Sequence, residues 1–447
     1  MSAEPAIVST SLRAVRSNAK QSNLNCSSHV KVDYRLKAMS FGCFVTAFLA
    51  MTCVLLLFSN PVKACTSVIV SGRVTNDGRP LIYKNRDTKS LSNMTVVVQG
   101  PRYRYLGLVN AEDTAPVNVW GGHNEAGFAI VNTAAYNLNG NGGDTDGDGI
   151  LMRKALGLCA TLADFERLID TVKKPMDVNS NFAVLDARGS CAYYETGNYS
   201  FVKFDVNDTL VAPDGYLMRT NFGTTGNHKL DVGVERYYAI TDFMKVACEE
   251  GHLDHDYLVT HIPRYMTHGL TKMNIYDFMP ATEADTTFFP FADYTVRYST
   301  ASVILVQGVK PGESPLNTVS WTIMGWPLTT VAMPLVLLPS GKLPAIVTDD
   351  DTGHSWLCEK GLQLKSRAFS LKRGNTTSYC NLAILFNKQG TGILQQILPL
   401  EEEVMHRGEE ALTEFRKSPK NAKVMESYYD WVDAYLTDRY REIFNVE

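Results

Sequence analysis

The sequence predicts a layered α+β domain in which strand hairpins alternate with two helical blocks. Alternating, β-branched runs bounded by Gly, Pro, Asn and Asp recur along the chain, as is typical of strands. The first helical block, 150–173, has apolar residues at helical spacing. The second consists of two predicted helices, 229–250 and 256–267. No Gly-x-Gly-x-x-Gly follows a predicted strand and no P-loop is present, so the order of elements argues against a doubly wound nucleotide-binding fold.

The first 64 residues have the order of a secretory signal. Basic residues precede an apolar run over 41–58, and Val62 and Ala64 stand at positions −3 and −1 of a cut before Cys65. We expect residues 1–64 to be removed on maturation and the protein to be secreted or periplasmic. Two alternatives remain open at this point: the apolar run is long enough for a membrane anchor, and Cys65 could be the lipidated cysteine of a cell-surface lipoprotein.

A cut before Cys65 would place a free α-amine and a thiol on the same residue. An α-amine has a pKa of roughly 7.7–8, so it can act as a base near neutral pH. A thiol becomes a good nucleophile once its proton is removed. An N-terminal Cys65 therefore combines a nucleophile and its base.

The residues after Cys65 predict a hairpin. A buried strand over Cys65–Val70 is followed by a turn containing Asp77 and Gly78, a strong hairpin signal, and by a returning strand over Leu81–Asp87. Because a hairpin brings the end of its second strand beside the start of its first, Lys84, Arg86 and Asp87 are expected near Cys65.

Later segments complete the predicted organisation. A domain is expected over 65–395 and a charged C-terminal helical hairpin, packed on that domain, over 396–447. Further strands are predicted at 128–133, 181–186, 191–195, 216–221, 294–307, 318–325 and 328–338.

Composition excludes several functional classes. The 447 residues are 45% apolar and carry a net charge of −4, and the part after residue 64 is the more acidic. This balance argues against nucleic-acid binding and against a polybasic membrane surface. Six cysteines follow residue 64, too few for a disulfide scaffold at this size. A bridge between Cys358 and Cys380 is left open.

Five short segments occur in one order along the chain. They are Cys65-Thr66-Ser67, Lys84-Asn85-Arg86-Asp87, Gly122-His123-Asn124-Glu125-Ala126-Gly127-Phe128, Asp186-Ala187-Arg188-Gly189 with Glu195, and Arg219-Thr220-Asn221-Phe222. This set resembles the N-terminal-nucleophile hydrolases of the choloylglycine hydrolase/penicillin V acylase group. It is most similar to the acyl-coenzyme A:6-aminopenicillanic acid acyltransferase and acid-ceramidase-like branch. The resemblance covers most of the span from 65 to about 340.

The resemblance implies a four-layer αββα sandwich of the Ntn-hydrolase type, with a C-terminal helical extension. It implies hydrolysis of, or acyl transfer from, a linear non-peptide amide such as an N-acyl amide, a conjugated bile acid or a penicillin-like compound. The expected partner is this small-molecule substrate, with no nucleic acid, no membrane after leader removal, no cofactor and no metal. A homo-oligomer is left open, as is a surface lipoprotein that binds a ligand and uses Cys65 as its anchor.

The resemblance also implies roles for individual residues. Asp87 matches the carboxylate that holds the amino group of the nucleophile, and Asn132 and Asn221 match the amides that stabilise the oxyanion. Arg297 matches a late arginine of the family. Lys84 occupies the slot in which the family pattern has an Arg, a departure that matters because Lys is a point charge and not a bidentate fork.

Three other patterns have ordinary explanations. The segment 144–149 begins like a calcium loop, but its twelfth position is Ala155 instead of Glu, so a solvated acidic loop is the better interpretation. His354 and Cys358 form a lone pair, which is weak evidence for zinc. Candidates for lining an apolar pocket, with core packing as an equal alternative, are Tyr136, Phe222, Phe288, Phe289 and Phe291.

Overall fold

The computed structural model describes residues 64–113, 117–138, 147–348, 353–419 and 421–446. The predicted leader up to residue 63, its apolar run and residues 144–146 of the acidic segment lie outside the described residues. Residues 147–149 begin a helix in which Asp148 is buried, so the prediction of a solvated acidic loop is wrong for that part.

The described chain contains the strands and helices of a mixed α+β protein. The strands are β1 (Cys65–Val70), β2 (Leu81–Asp87), β3 (Asn93–Gln99), β4 (Arg104–Asn110), β5 (Gly121–Asn124), β6 (Ala129–Ala134), β7 (Ser180–Leu185), β8 (Cys191–Thr196), β9 (Phe201–Asp205), β10 (Tyr216–Arg219), β11 (Phe288–Pro290), β12 (Thr300–Gln307), β13 (Val319–Met324), β14 (Ala332–Leu335) and β15 (Tyr379–Asn381). The helices are α1 (Gly147–Leu158), α2 (Leu162–Thr171), α3 (Val234–Glu249), α4 (His255–His261), α5 (Trp356–Ala368), α6 (Leu382–Leu385), α7 (Ile393–Lys417) and α8 (Lys423–Phe444).

Two antiparallel sheets form the centre of the fold. The first has six strands in the order β10-β1-β2-β12-β13-β14, and the second has seven in the order β3-β4-β5-β6-β7-β8-β9. A small two-stranded sheet pairs β11 with β15. The large sheets face each other, with β1 and β2 packed against β6, β7 and, for β1, β8.

Helices cover the outer face of each large sheet. α1 and α2 lie on the seven-stranded sheet, where the ring of Phe165 packs edge-on against Phe182 and Tyr194. α3, α4 and α7 lie on the six-stranded sheet, against β10, β12 and β14 respectively. The order helix, sheet, sheet, helix confirms the predicted αββα sandwich.

The predicted hairpin of β1 and β2 is present, and two local features stabilise its turn. Gly78 has φ 74°, a left-handed conformation that favours glycine. The Asp77 side chain accepts a hydrogen bond from the backbone N–H of Arg79 at 3.0 Å, which closes the turn locally. β1 and β2 then pair in antiparallel register from Cys65 opposite Arg86 to Val70 opposite Leu81.

Two helix predictions are wrong in their bounds. The single helix predicted over 150–173 is interrupted after Leu158, because Thr161 caps a new helix and Asp164 completes its capping box. The helix predicted over 229–250 begins only at Val234, after Gly233 in a left-handed conformation. The C-terminal helical predictions are confirmed by α7 and α8.

The C-terminal helices share the apolar core of the sheet on which they lie. A buried ion pair joins them to the rest: Arg264, in the turn after α4, contacts both carboxylate oxygens of Glu401 in α7, at 2.6 and 2.8 Å. Glu401 also accepts the backbone N–H of Ala332 in β14 at 2.7 Å. A single carboxylate therefore links three separate elements.

Two further observations concern features predicted from the sequence. Cys358 and Cys380 are both free thiols, so the bridge left open above does not form. In the part of the chain that is described, no helix is both long and apolar enough to cross a membrane.

Glu401→Gln is expected to lower the free energy of unfolding by about 3 kcal/mol, because it leaves the buried guanidinium of Arg264 without its counter-charge. Chemical denaturation of the full chain measures the change. The matched control is Glu414→Gln, which removes an exposed pair with Lys417 and is expected to cost less than about 0.5 kcal/mol. Equal losses in the two variants would contradict this role of Glu401.

Candidate active site

The register between β1 and β2 decides which side chains meet. Cys65 lies opposite Arg86, and Ser67 lies opposite Lys84. Cross-strand partners share a face of the sheet, as do residues two apart in a strand. Ser67 contacts the hydroxyl of Tyr193 in the facing sheet at 2.8 Å, so all four side chains point into the space between the sheets.

Cys65 begins β1 and is buried, with 7% of its surface exposed. Its backbone N–H, here part of the peptide bond to Ala64, donates to Oδ1 of Asn221 at 2.9 Å. Its thiol Sγ lies 4.0 Å from the backbone oxygen of Asp87. The structure thus brings the predicted nucleophile together with the predicted residues Asn221 and Asp87.

Asp87 is held by three hydrogen bonds on the other face of β2. Arg297 donates to its Oδ2 from Nε at 3.0 Å and from Nη2 at 2.8 Å. Thr300, at the start of β12, donates to its Oδ1 at 2.6 Å. Among the described residues the nitrogen of Cys65 is hydrogen-bonded to Asn221, and the predicted contact with the Asp87 carboxylate is not formed in the uncut chain.

Lys84 crosses the space between the sheets. Its Nζ donates to the backbone oxygen of Trp120 at 2.8 Å and to Oδ1 of Asn132 at 2.6 Å. Burial lowers the pKa of Lys84 to about 8, and the nearby positive charge of Arg86 adds to this effect, whereas Cys65 opposes it. Lys84 therefore lies near the thiol and can change its protonation state at a pH close to neutral.

Asn132 supports Lys84 in this arrangement. While its Oδ1 accepts from Lys84, its Nδ2 donates to Asp148 at 3.1 Å and to Ser180 at 3.0 Å. Both amide hydrogens are therefore in use within the protein. The predicted oxyanion contact by Asn132 stays a prediction, and it would require one of these hydrogen bonds to be exchanged.

Arg86 is a second buried cation on the same face. It donates to Oδ1 of Asn93 and to Oδ1 of Asn110, both at 2.6 Å, and its guanidinium lies 4.8 Å from the ring centre of Trp120. Burial lowers the pKa of Arg86 to about 10, and Cys65 is the largest of the charges that oppose the shift. Arg86 thus remains a cation at neutral pH, fixed opposite Cys65.

Arg236 in α3 was not predicted from the sequence. It donates from Nη1 to Oγ1 of Thr66 at 2.9 Å and to the backbone oxygen of Cys65, and from Nη2 to Oδ1 of Asn221 at 2.6 Å. Burial lowers the pKa of Arg236 to about 10, with a further lowering by Arg297. Nothing in the spacing of α3 marks this arginine; the Gly233 that precedes the helix is the nearest signal.

Other groups in the site also lacked a sequence signal. Asp148 and Ser180 reach Asn132 from α1 and β7, and Thr300 reaches Asp87 from β12. Each is a common polar residue whose role depends on which strand lies beside it. Five of the predicted residues, Asp87, Lys84, Asn132, Asn221 and Arg297, nevertheless converge around Cys65 directly or through one intervening side chain.

The aromatic candidates divide into two groups. Phe222 lies next to Asn221 and packs on Tyr237 with ring centres 5.2 Å apart, and Tyr136 donates its backbone N–H to Asn221. Phe291 instead packs against Trp326 in a separate core cluster. Residues 288 and 289 belong to β11, within the small sheet that pairs β11 with β15. Only the first group adjoins the site.

A cavity of about 530 Å³ opens beside β8 and β9. Its lining includes Glu195, Tyr199 and Thr225, and none of Cys65, Asp87 and Asn221 belongs to it. The Glu195 carboxylate is already engaged by Arg219 and by two threonines. This cavity is therefore distinct from the site around the thiol.

The weak metal patterns gain no support in the parts of the chain that are described. Within those ranges no cluster of three or more His, Cys, Asp and Glu side chains is arranged to hold an ion. The thiol of Cys358 is buried, lies 3.6 Å from the backbone oxygen of Leu91 and accepts the backbone N–H of Asn93, whereas His354 contacts Ser92 at the surface.

No family model and no curated protein sequence matches this chain. Several solved structures do, and all three described next are N-terminal-nucleophile hydrolases of the choloylglycine hydrolase group, the group that the sequence resembles.

The first is a Caenorhabditis elegans ortholog of N-acylethanolamine-hydrolyzing acid amidase, with 14% identity, a TM-score of 0.35, and coverage of 56% of this chain and 93% of that one. A mutant conjugated bile acid hydrolase from Clostridium perfringens has 11% identity, a TM-score of 0.37, and coverage of 61% and 92%. Penicillin V acylase from Agrobacterium tumefaciens has 11% identity, a TM-score of 0.32, and coverage of 61% and 86%. At these identities and TM-scores the matches assign no substrate and no residue role to this chain.

Lys84 makes a testable contribution to stability. Its folded-state pKa, about 8, lies below its ordinary value of 10.5, so between these pH values the unfolded chain binds more protons than the folded chain. The free energy of unfolding is therefore expected to rise with pH across that window, by about 1 kcal/mol per pH unit. Lys84→Met should remove this rise.

Denaturation of both proteins at pH 8 and pH 10 measures the difference between the slopes. Buried Lys365, whose pKa is lowered by burial to about 7, acts in the same direction in both proteins and cancels from the comparison. Identical slopes would show that Lys84 titrates normally in the folded state.

Proposed function

We propose that this protein is an exported amidohydrolase that cleaves linear, non-peptide carbon–nitrogen amide bonds with Cys65 as its N-terminal nucleophile. The observation that carries the proposal is the convergence on Cys65: Asn221 holds its nitrogen, and Lys84 and Arg86 share its face of the sheet. Substrates in keeping with the sequence resemblance are N-acyl amides, conjugated bile acids and penicillin-like compounds.

The first half of the reaction would form an acyl-thioester. In the mature protein the neutral α-amine of Cys65 takes the proton of the thiol, and the sulfur attacks the amide carbonyl. The S–C bond forms as the carbonyl electrons move to oxygen. When the tetrahedral intermediate collapses, the C–N bond breaks and the leaving nitrogen takes the proton from the α-ammonium.

The second half returns the enzyme. Water gives a proton to the α-amine as its oxygen attacks the thioester carbonyl, and the C–S bond then breaks. The sulfur regains the proton held by the amine, and the carboxylic acid leaves. An amine acceptor in place of water would make the same site an acyltransferase, which is the alternative within this family.

The negative charge that develops on the carbonyl oxygen needs donors in a site without water. Protonated Lys84 has three N–H donors, and two of them are committed to Trp120 and Asn132. Asn221 uses Nδ2 to donate to Ala134 at 2.9 Å and has one further amide hydrogen. These two side chains are our candidates for the oxyanion site, with the Asp87–Arg297 pair fixing the strand end beneath them.

The lipoprotein alternative is harder to reconcile with the geometry. An acyl chain attached to the thiol of Cys65 would have to lie between two packed sheets, because this side chain is buried and faces inward. The preceding Ala64 is 1% exposed. The burial of both Ala64 and Cys65 favours Cys65 as a nucleophile over Cys65 as a lipid anchor. Export is proposed from the leader sequence alone.

Cys65→Ser is expected to reduce turnover of a panel of acyl amides by at least about 10³-fold, because a serine hydroxyl is a far weaker nucleophile beside an amine base. The panel holds an N-acylethanolamine, a glycine-conjugated bile acid and penicillin V, with release of the amine as the readout. Adding a second amine separates hydrolysis from acyl transfer.

Cys248→Ser is the matched control, since Cys248 is a partly exposed free thiol in the last turn of α3, and this variant should retain activity. N-terminal sequencing and intact mass of the exported protein complete the test. A chain that begins before Cys65, or an acylated Cys65, together with full activity of Cys65→Ser, would refute the proposal.

A further inference from the structure

Arg236 is a buried cation whose guanidinium donates three hydrogen bonds to groups at Cys65 and beside it. Its acceptors are the backbone oxygen of Cys65, the hydroxyl of Thr66 and Oδ1 of Asn221. These three oxygens are neutral, and the side chain is 1% exposed. A fully desolvated guanidinium is costly to bury, so its retention at this position calls for an explanation beyond packing.

The local backbone is shaped to admit this guanidinium. Gly233, which precedes α3, has φ 78°, and a Cβ added there would lie 2.1 Å from Nη2 of Arg236. Only glycine both adopts this conformation and leaves the space. The start of α3 is thus built around the arginine.

Arg236 and the nitrogen of Cys65 share one acceptor atom. Oδ1 of Asn221 accepts from the Cys65 nitrogen at 2.9 Å and from Nη2 of Arg236 at 2.6 Å. Because an arginine has donors only, it fixes the amide of Asn221 with its oxygen toward Cys65 and its Nδ2 toward Ala134. It also holds a positive charge close to the atom that becomes the α-amine.

The other charges around Cys65 are mainly positive. Lys84 and Arg86 reach it from the inner face of β2, whereas Asp87, which Arg297 neutralises, lies on the outer face. Lys84, Arg86 and Arg236 each interact electrostatically with Cys65. The other charged groups that act on these three cations are Asp87 in β2, Glu112 after β4, Asp148 in α1, Glu235 in α3 and Arg297 before β12.

We propose that Arg236 is a positioning residue for the reaction, one that orients Asn221 to receive an N–H of the Cys65 α-amine and disfavours the ammonium form of that amine. The inference rests on the proposed function. In the step it assists, the thiol proton moves to the nitrogen lone pair of the amine, while Asn221 only accepts a hydrogen bond. A neutral, oriented amine is what this proton transfer requires.

Two substitutions separate the charge of Arg236 from its geometry. Arg236→Gln removes the charge, so the acidic limb of the kcat/KM–pH profile is expected to move about one unit to higher pH, with lower kcat. Arg236→Lys keeps the charge but cannot reach Cys65, Thr66 and Asn221 together. The Arg236→Lys variant should keep the acidic limb of the kcat/KM–pH profile at its wild-type pH and lower kcat about 10-fold or more.

A second readout does not depend on turnover. Mature protein labelled with ¹⁵N at cysteine reports the titration of the Cys65 α-amine by NMR, and Arg236→Gln should move that titration to higher pH by about one unit. Arg407→Gln, which removes an exposed cation on α7, should leave it unchanged. Circular dichroism and melting temperature establish that each variant is folded.

The outcomes are distinct. An unmoved amine titration in folded Arg236→Gln, or a wild-type kcat in Arg236→Lys, overturns the role of Arg236. If Arg236→Gln does not fold, Arg236→Lys alone tests the role. A lower kcat with an unchanged acidic limb of the kcat/KM–pH profile supports it, and any other result overturns it. A moved titration in a protein that cleaves no amide at all would support the positioning role and refute the proposed function.

Discussion

The antiparallel register of β2 against its two neighbours, β1 and β12, is the constraint on which the site depends. It places Arg86 opposite Cys65 on one side and Asp87 opposite Thr300 on the other. Side chains alternate between faces, so a slip of one residue would turn Lys84 and Arg86 toward the outer helices and Asp87 into the space between the sheets. The turn at Gly78 and the long pairing with β12 hold this register.

The second feature of the molecule is an accumulation of buried positive charge that ordinary packing does not explain. Lys84, Arg86 and Arg236 are almost fully buried, and the acceptors that their hydrogen bonds reach are neutral oxygens. Burial lowers the pKa of each of the three, which shows that the surroundings disfavour the charged forms. Such an environment favours any negative charge that forms at Cys65 or on a carbonyl oxygen beside it.

Sequence reasoning recovered the parts of this arrangement that local chemistry determines. The hairpin signal at Asp77 and Gly78 sufficed to bring Lys84 and Asp87 near Cys65, and the resemblance supplied Asn221 and Arg297. The long helix over 150–173 was wrong because a capping box at Thr161 was overlooked. Arg236 could not have been found, since its role arises only when α3 lies across the end of β1, and that contact is set by tertiary packing instead of by spacing in the sequence.

The long separations within the six-stranded sheet also bear on the order in which the protein is made. Cys65 and Asp87 are among the first residues of the domain to be synthesised, yet Arg297, which holds Asp87, follows 210 residues after Asp87. An isolated two-stranded hairpin is marginally stable in water. β10 and β12 can therefore flank the hairpin only after the ribosome has synthesised most of the chain. Contacts between residues so far apart in the sequence also form slowly. The chemistry of the first strand is thus available only after the last strands of the sheet have been translated.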